Sequence, residues 1–184
     1  MNYRKELLEN MLPFWLDHAI DRENGGIYTC LDREGNIYGT DKSVWFQGRA
    51  LWAFCKAYNM IEKDPAFLSA AKCIYDFLPK CVDTDGRMYF TVTADGRGLQ
   101  KRRYYFSETF AAIGCAEYAK ATGDREVMEN AEHYFAIAHD CFTGKIKTQP
   151  KIKPAKPAAQ GARPGNDHAF DRAGDADASD AAGG

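Results

Sequence analysis

Trp45, Arg49 and Trp52 stand at i, i+4 and i+7, a spacing that places them on one face of a helix. A guanidinium between two indoles on an otherwise apolar stretch is costly unless it meets an anion, a carbonyl-rich ligand or a carboxylate. The functional reading is a sugar or carboxylate site, with indole faces for a ring and the guanidinium for oxygens. The structural reading is a buried Arg–Glu pair between neighbouring helices, with Glu108 as the partner of Arg49. Glu108 sits among aromatics and alanines and shares a helical face with Tyr104 at i, i+4. It is either a site carboxylate or that partner.

Other chemistry is sparse. His133 and His139 lie six apart on one helix, the wrong spacing for a metal pair. His18 falls at a helix end and His168 in a polar tail. The Asp83–Gly86 and Asp95-Gly96 stretches read as turns, being too short a ligand series for a calcium loop. No phosphate loop, HExxH or GxSxG is present. No metal and no cofactor are expected.

The elements that position these residues come in a repeated unit. Gly35 corresponds to Gly96, Tyr28 to Tyr89, Trp45 to Phe106 and Gln47 to Glu108, each pair displaced by 61 positions. Such a period signals an array of similar supersecondary units, each too small to bury its own apolar face. The pattern predicts a first helix from Tyr3 to about Ile20, and a hairpin over Ile27–Leu31 and Ile37-Tyr38. An apolar helix follows from Val44 to about Ile61, capped by Asp41 or Ser43 and buried on most sides. Asp64-Pro65 opens a helix to about Leu78. A second hairpin around Asp95-Gly96 leads to helices over Tyr104–Ala121 and Asp124 to about Asp140. Five helices alternating outer and inner suggest part of a toroid of helical hairpins, with short β-hairpins on one rim. Polar residues at equivalent helix starts would then converge on one mouth.

A net charge of −2 gives no electrostatic case for nucleic acid or anionic membrane. No apolar run approaches the ~18 residues of a membrane span, and the charged start, Met1–Glu9, lacks the apolar core of a signal peptide. Six scattered cysteines without CxxC read as free buried thiols of a reducing, cytoplasmic protein. Residues 1–149 read as the folded part. Residues 150–184, dominated by Pro, Ala, Gly and Asp, cannot bury enough surface to offset their ordering entropy and are expected to be disordered.

Phe14-Trp15-Leu16, Asp21–Gly26, Cys30–Gly35, Asp41–Arg49 with its Gln-Gly-Arg, and Arg103–Phe110 together resemble the N-acylglucosamine 2-epimerase family, which includes the cellobiose 2-epimerases. The resemblance runs from the N-terminus to about Pro154. It implies an (α/α)6 barrel, here incomplete, and inversion at C2 of a small-molecule sugar of the N-acetylglucosamine/N-acetylmannosamine class. A base removes the proton α to the C1 aldehyde, and the enediolate is reprotonated on the opposite face. By resemblance Arg49 matches an active-site arginine suited to the oxyanion, and Trp45, Tyr104 and Glu108 match pocket-lining positions. The two histidines that move the proton in the family fall in the later half of the barrel, and none here is assignable to them. Family members are considerably longer, and often homodimeric. Beyond Lys153 the resemblance gives way to the tail, as a shifted frame or shortened gene would leave it. The expectation is a truncated chain, inactive alone. A carbohydrate-binding or interaction module is one alternative. The other is a glycoside hydrolase pairing Glu108 with Asp41.

Overall fold

The computed structural model describes residues 2–102 and 104–148. The tail expected over 150–184, with His168, lies outside them, as does Arg103. The first helical segment consists of α1 (Tyr3–Glu6), a π-helical turn (Leu7–Met11) and α2 (Leu12–His18). Pro13 explains why this segment is not one regular helix: it has no N–H to give, and its ring crowds the preceding turn. The wide turn, closed by Leu12 N–H on Leu7 O, accommodates that proline.

Strands β1 (Cys30–Leu31) and β2 (Ile37–Gly39) pair antiparallel, with Cys30 opposite Gly39 and Leu31 opposite Ile37. Asp32 closes their turn by accepting the N–H groups of Glu34 and Asn36. Gly35 takes φ +89°, and Gly96 takes φ +100° in the equivalent turn. A Cβ at Gly35 would lie 2.4 Å from the His18 ring. Glycine is therefore needed there for close approach as well as for the backbone.

The two hairpins lie in separate sheets, and the second gains a third strand from the segment that leads into the first inner helix. Strand β3 (Lys42–Ser43) pairs with β4 (Thr91–Val92), which pairs with β5 (Gly98–Gln100). Val44 N–H, at the start of α3 (Val44–Met60), bonds Phe90 O. Ser43 occupies the N-cap position without a side-chain capping bond. The sheet thus satisfies the first orphan donor of α3, so neither Asp41 nor Ser43 is needed for it.

Helix α4 (Pro65–Phe77) follows, capped by Asp64 on Ala66 N–H, and runs into a 3-10 turn (Leu78–Cys81). Helix α5 (Phe106–Thr122) begins two residues later than the pattern predicts, and α6 (Arg125–Phe142) is capped by Asp124. The inner helices α3 and α5 pack most extensively on each other; α4 lies on α3, and α6 on α5. Gly48 and Gly114 let the inner pair approach at backbone distance. Leu51, Phe54, Ile74, Phe77 and Cys115 fill the core, each large apolar side chain contributing about 1.5–3 kcal/mol. All six cysteines are free, and burial pushes the thiols of Cys55, Cys81 and Cys115 up to about 12.

Helix α3 is buried or half-buried over most of its surface and leaves one exposed stripe. Arg49, Trp52 and Ala53 are exposed, Trp52 to 41%.

Candidate functional site

Trp45, Arg49 and Trp52 do share a wall. With Trp15 and Phe46 they line a cavity of about 300 Å³ beside α2. The Arg49 guanidinium lies over two rings, Trp45 and Phe110, at 5.4 Å from each centroid. Those rings are 5.8 Å apart, and Trp15 packs 5.6 Å from Phe46. Among the described residues Arg49 has no hydrogen-bonded or ion-pair partner. An exposed, ring-flanked guanidinium has its donors directed to solvent, where a ligand rich in oxygens can take them. Phe110 is the residue that sequence reasoning missed. It is the repeat equivalent of Arg49, 61 positions on, and that register is the signal that could have found it.

Glu108 and Tyr104 are placed elsewhere. Glu108 is 0% exposed, and its Oε1 accepts from Arg87 Nε at 2.6 Å and from Met88 N–H at 3.0 Å. Its buried partner is Arg87, not Arg49. The expected ion pair exists, but the arginine comes from the second hairpin unit. Glu108 Oε2 is buried without a hydrogen bond. A carboxylate so enclosed touches no solvent-accessible ligand, which removes the geometry of a Glu108–Asp41 hydrolase. Tyr104 precedes α5, so the predicted i, i+4 face with Glu108 does not form. Its ring stacks on Phe106 at 5.3 Å, and its carbonyl accepts from Arg87 Nη2. The Gln47 side chain does the same task in the first unit. Its Oε1 accepts from Ile27 N–H and its Nε2 donates to Ile27 O, both at 2.8 Å.

A second buried centre holds both hairpins to the start of α3. The Lys42 ammonium, 0% exposed, donates to Asp21 Oδ2, Gly25 O and Ala94 O, each at 2.7 Å. It also lies against the Tyr28 and Phe77 rings. Burial pushes the Lys42 ammonium down, against the pull of Asp21. Burial would raise the Asp21 carboxyl, but the Asn24 N–H and Lys42 outweigh it and hold it well below the usual carboxylate range. Burial, with Asp21 beside it, pushes the Tyr28 phenol up to about 12.

A carboxyl held low in the folded state stabilises above its unfolded pKa, and this contribution is lost as acid protonates it. Urea midpoints should therefore fall as pH drops below about 4. Asp83, held low by Lys101 and Tyr89, acts in the same direction. Asp21→Asn should flatten that decline. An acid limb of unchanged slope in the variant would show that Asp21 does not carry it.

Among the described residues no histidine lines the Arg49 cavity, and His18, His133 and His139 are all exposed. No group of three His, Cys, Asp or Glu side chains that could hold a metal occurs among the described residues. No helix among them is long and apolar enough to cross a membrane.

Inner helices clothed by outer ones, with hairpins at the inner helix starts, define a helical-hairpin protein of the α/α class. The family model for N-acylglucosamine 2-epimerase (GlcNAc 2-epimerase) matches residues 26–168. The N-acylglucosamine 2-epimerase of Bos taurus is 37% identical over 129 residues, covering 67% of this chain and 31% of its own length. That of Homo sapiens is 36% identical over 138 residues, 72% of this chain and 32% of its own. The solved cellobiose 2-epimerase of Spirochaeta thermophila superposes with a TM-score of 0.65 at 32% identity, covering 74% of this chain and 34% of its own. This chain belongs to the N-acylglucosamine 2-epimerase family, and it spans about a third of the length of the relatives it matches.

Proposed function

We propose that this chain carries the sugar-holding wall of a sugar 2-epimerase, as an arc of an (α/α)6 toroid. One observation carries this function: in a chain of this family, the Gln-Gly-Arg arginine stands exposed between Trp45 and Phe110 on an aromatic cavity. Aromatic faces pack on the C–H side of a sugar ring, and the guanidinium bonds its oxygens. In the epimerisation step Arg49 would stabilise the oxygen that gains charge as the proton leaves C2. Trp45 and Trp52 would fix the ring. Glu108 would act from the interior by holding the start of α5. Such acid–base chemistry at C2 calls for no cofactor. The substrate class is N-acetylglucosamine/N-acetylmannosamine. The chain alone is inactive, because no imidazole reaches the Arg49 cavity among the described residues.

The test is N-acetylglucosamine with the purified chain in deuterated water, followed by NMR for deuterium at C2 and for N-acetylmannosamine. No turnover is expected, while tryptophan fluorescence should report saturable sugar binding. Arg49→Ala should weaken that binding roughly tenfold or more, the loss of a charged hydrogen-bond donor, without changing the circular dichroism. Robust turnover would refute inactivity, and sugar binding indifferent to Arg49→Ala would refute the wall.

A further inference from the structure

We propose that a second cavity, between α4 and α6 and away from the Arg49 face, binds a small primary ammonium. The cavity holds about 310 Å³ and is lined by Tyr75 and Asp76 of α4 and by Glu126, Asn130 and Tyr134 of α6, over Leu78. Glu126, Asn130 and Tyr134 recur every four residues, so one face of α6 supplies three of its groups. The lining is rich in acceptors. Asn130 Nδ2 is spent on Tyr75 OH at 2.7 Å, which leaves the Asn130 carbonyl oxygen for a ligand. Carboxylates only accept. Glu126 has no ion-pair partner among the described residues, and Asp76 has only Lys72, at 2.6 Å on one oxygen.

Tyr134 points to a ligand independently of the carboxylates. Its side chain is 8% exposed, yet its hydroxyl makes no hydrogen bond to any described residue while it lines the cavity. The ring is buried while the hydroxyl meets the cavity, an open acceptor and donor for whatever occupies it. The Tyr75 and Tyr134 rings give the π-faces that attract a cation. The positive end of α6 is offset by its cap Asp124. Burial pushes the Tyr75 phenol up, against the Asn130 hydrogen bond, and Glu126 and Asp124 add only minor pushes in the same direction. A neutral sugar would leave these charges uncompensated. A primary ammonium brings three donors to the carboxylates and Asn130 oxygen, with its alkyl stem toward Leu78 and the rings.

Titration of the full chain with n-butylammonium chloride, followed by amide NMR, tests this against sodium chloride and tetramethylammonium at equal ionic strength. Saturable shifts confined to α4 and α6, including the Asn130 side-chain amide, are expected. Tetramethylammonium, with no N–H to donate, should bind more weakly. Asp76→Asn with Glu126→Gln, both at exposed positions, should leave the fold intact and weaken binding roughly tenfold, two partly screened charges being lost. Tyr134→Phe should weaken it by a smaller factor. Shifts equal to those from sodium chloride, or binding unaltered in the double variant, would overturn the site. Equal binding of tetramethylammonium would overturn the assignment to a primary ammonium.

Discussion

Gly48→Ala should destabilise the chain by about 3 kcal/mol, near the upper end of what an overpacked core methyl usually costs. The added Cβ would stand 2.4 Å from the Phe110 carbonyl carbon, 2.5 Å from its oxygen and 2.6 Å from Ala111 N. These are backbone atoms of the facing inner helix, so no side chain can swing aside and the helices must separate. Separation would thin the contact between α3 and α5, the most extensive helix pair in the fold. Gly114 meets Gly48 O at 2.6 Å by the same measure, so Gly114→Ala should act alike. Gly86→Ala is the control. Nothing lies within 4 Å of a Cβ there, and the cost is that of its φ of +80° alone, about 1–2 kcal/mol. Urea denaturation of the three variants decides the matter. A Gly48→Ala midpoint matching that of wild type would mean that the close approach is not needed for stability.

Removing Arg87 should cost more. Arg87→Ala leaves the Glu108 carboxylate with Met88 N–H alone in a fully buried place. Breaking a buried pair from one side costs about 3–5 kcal/mol. The repeat suggests its own remedy. At the equivalent positions the first unit has Gly26 and Gln47, a neutral pair in which the amide bonds the Ile27 backbone through both its oxygen and its nitrogen. Arg87→Gly combined with Glu108→Gln should therefore be more stable than Arg87→Gly alone, although the space left by the arginine keeps it below wild type. A double-mutant cycle measures that coupling. Additive losses would show that the carboxylate is not stranded when the arginine goes.

The register of 61 made much of this architecture legible. Helical spacing, the Asp64 and Asp124 caps and the paired glycine turns are local signals, and the structure follows them closely. The i, i+4, i+7 series of Trp45, Arg49 and Trp52 likewise depends only on helix geometry, and it does line one cavity. What escaped was decided by pairing at long range. The partner of Glu108 lies 21 residues away in a hairpin, and the nearer-looking candidate, Arg49, faces outward. The exchange of Gly26 and Gln47 for Arg87 and Glu108 stood in the repeat alignment all along, as a neutral pair replaced by opposite charges. The union of β3 with β4 left no local trace, because two-residue strands carry too little alternation to announce themselves. The late start of α5 displaced Tyr104 for a similar reason: an aromatic run fits extended chain as well as helix.

The Lys42 ammonium is shared between the loop ahead of the first hairpin and the turn of the second. Tandem arrays commonly fray from an end, each module surviving with most of its own stability. Here melting of either module would strip a partner from a charge in the dry interior, so the penalty falls on the neighbour as well. Two stretches that look like duplicated copies thus behave as one foldon, and an excised first copy would keep its ammonium on Asp21 and Gly25 with the third acceptor gone.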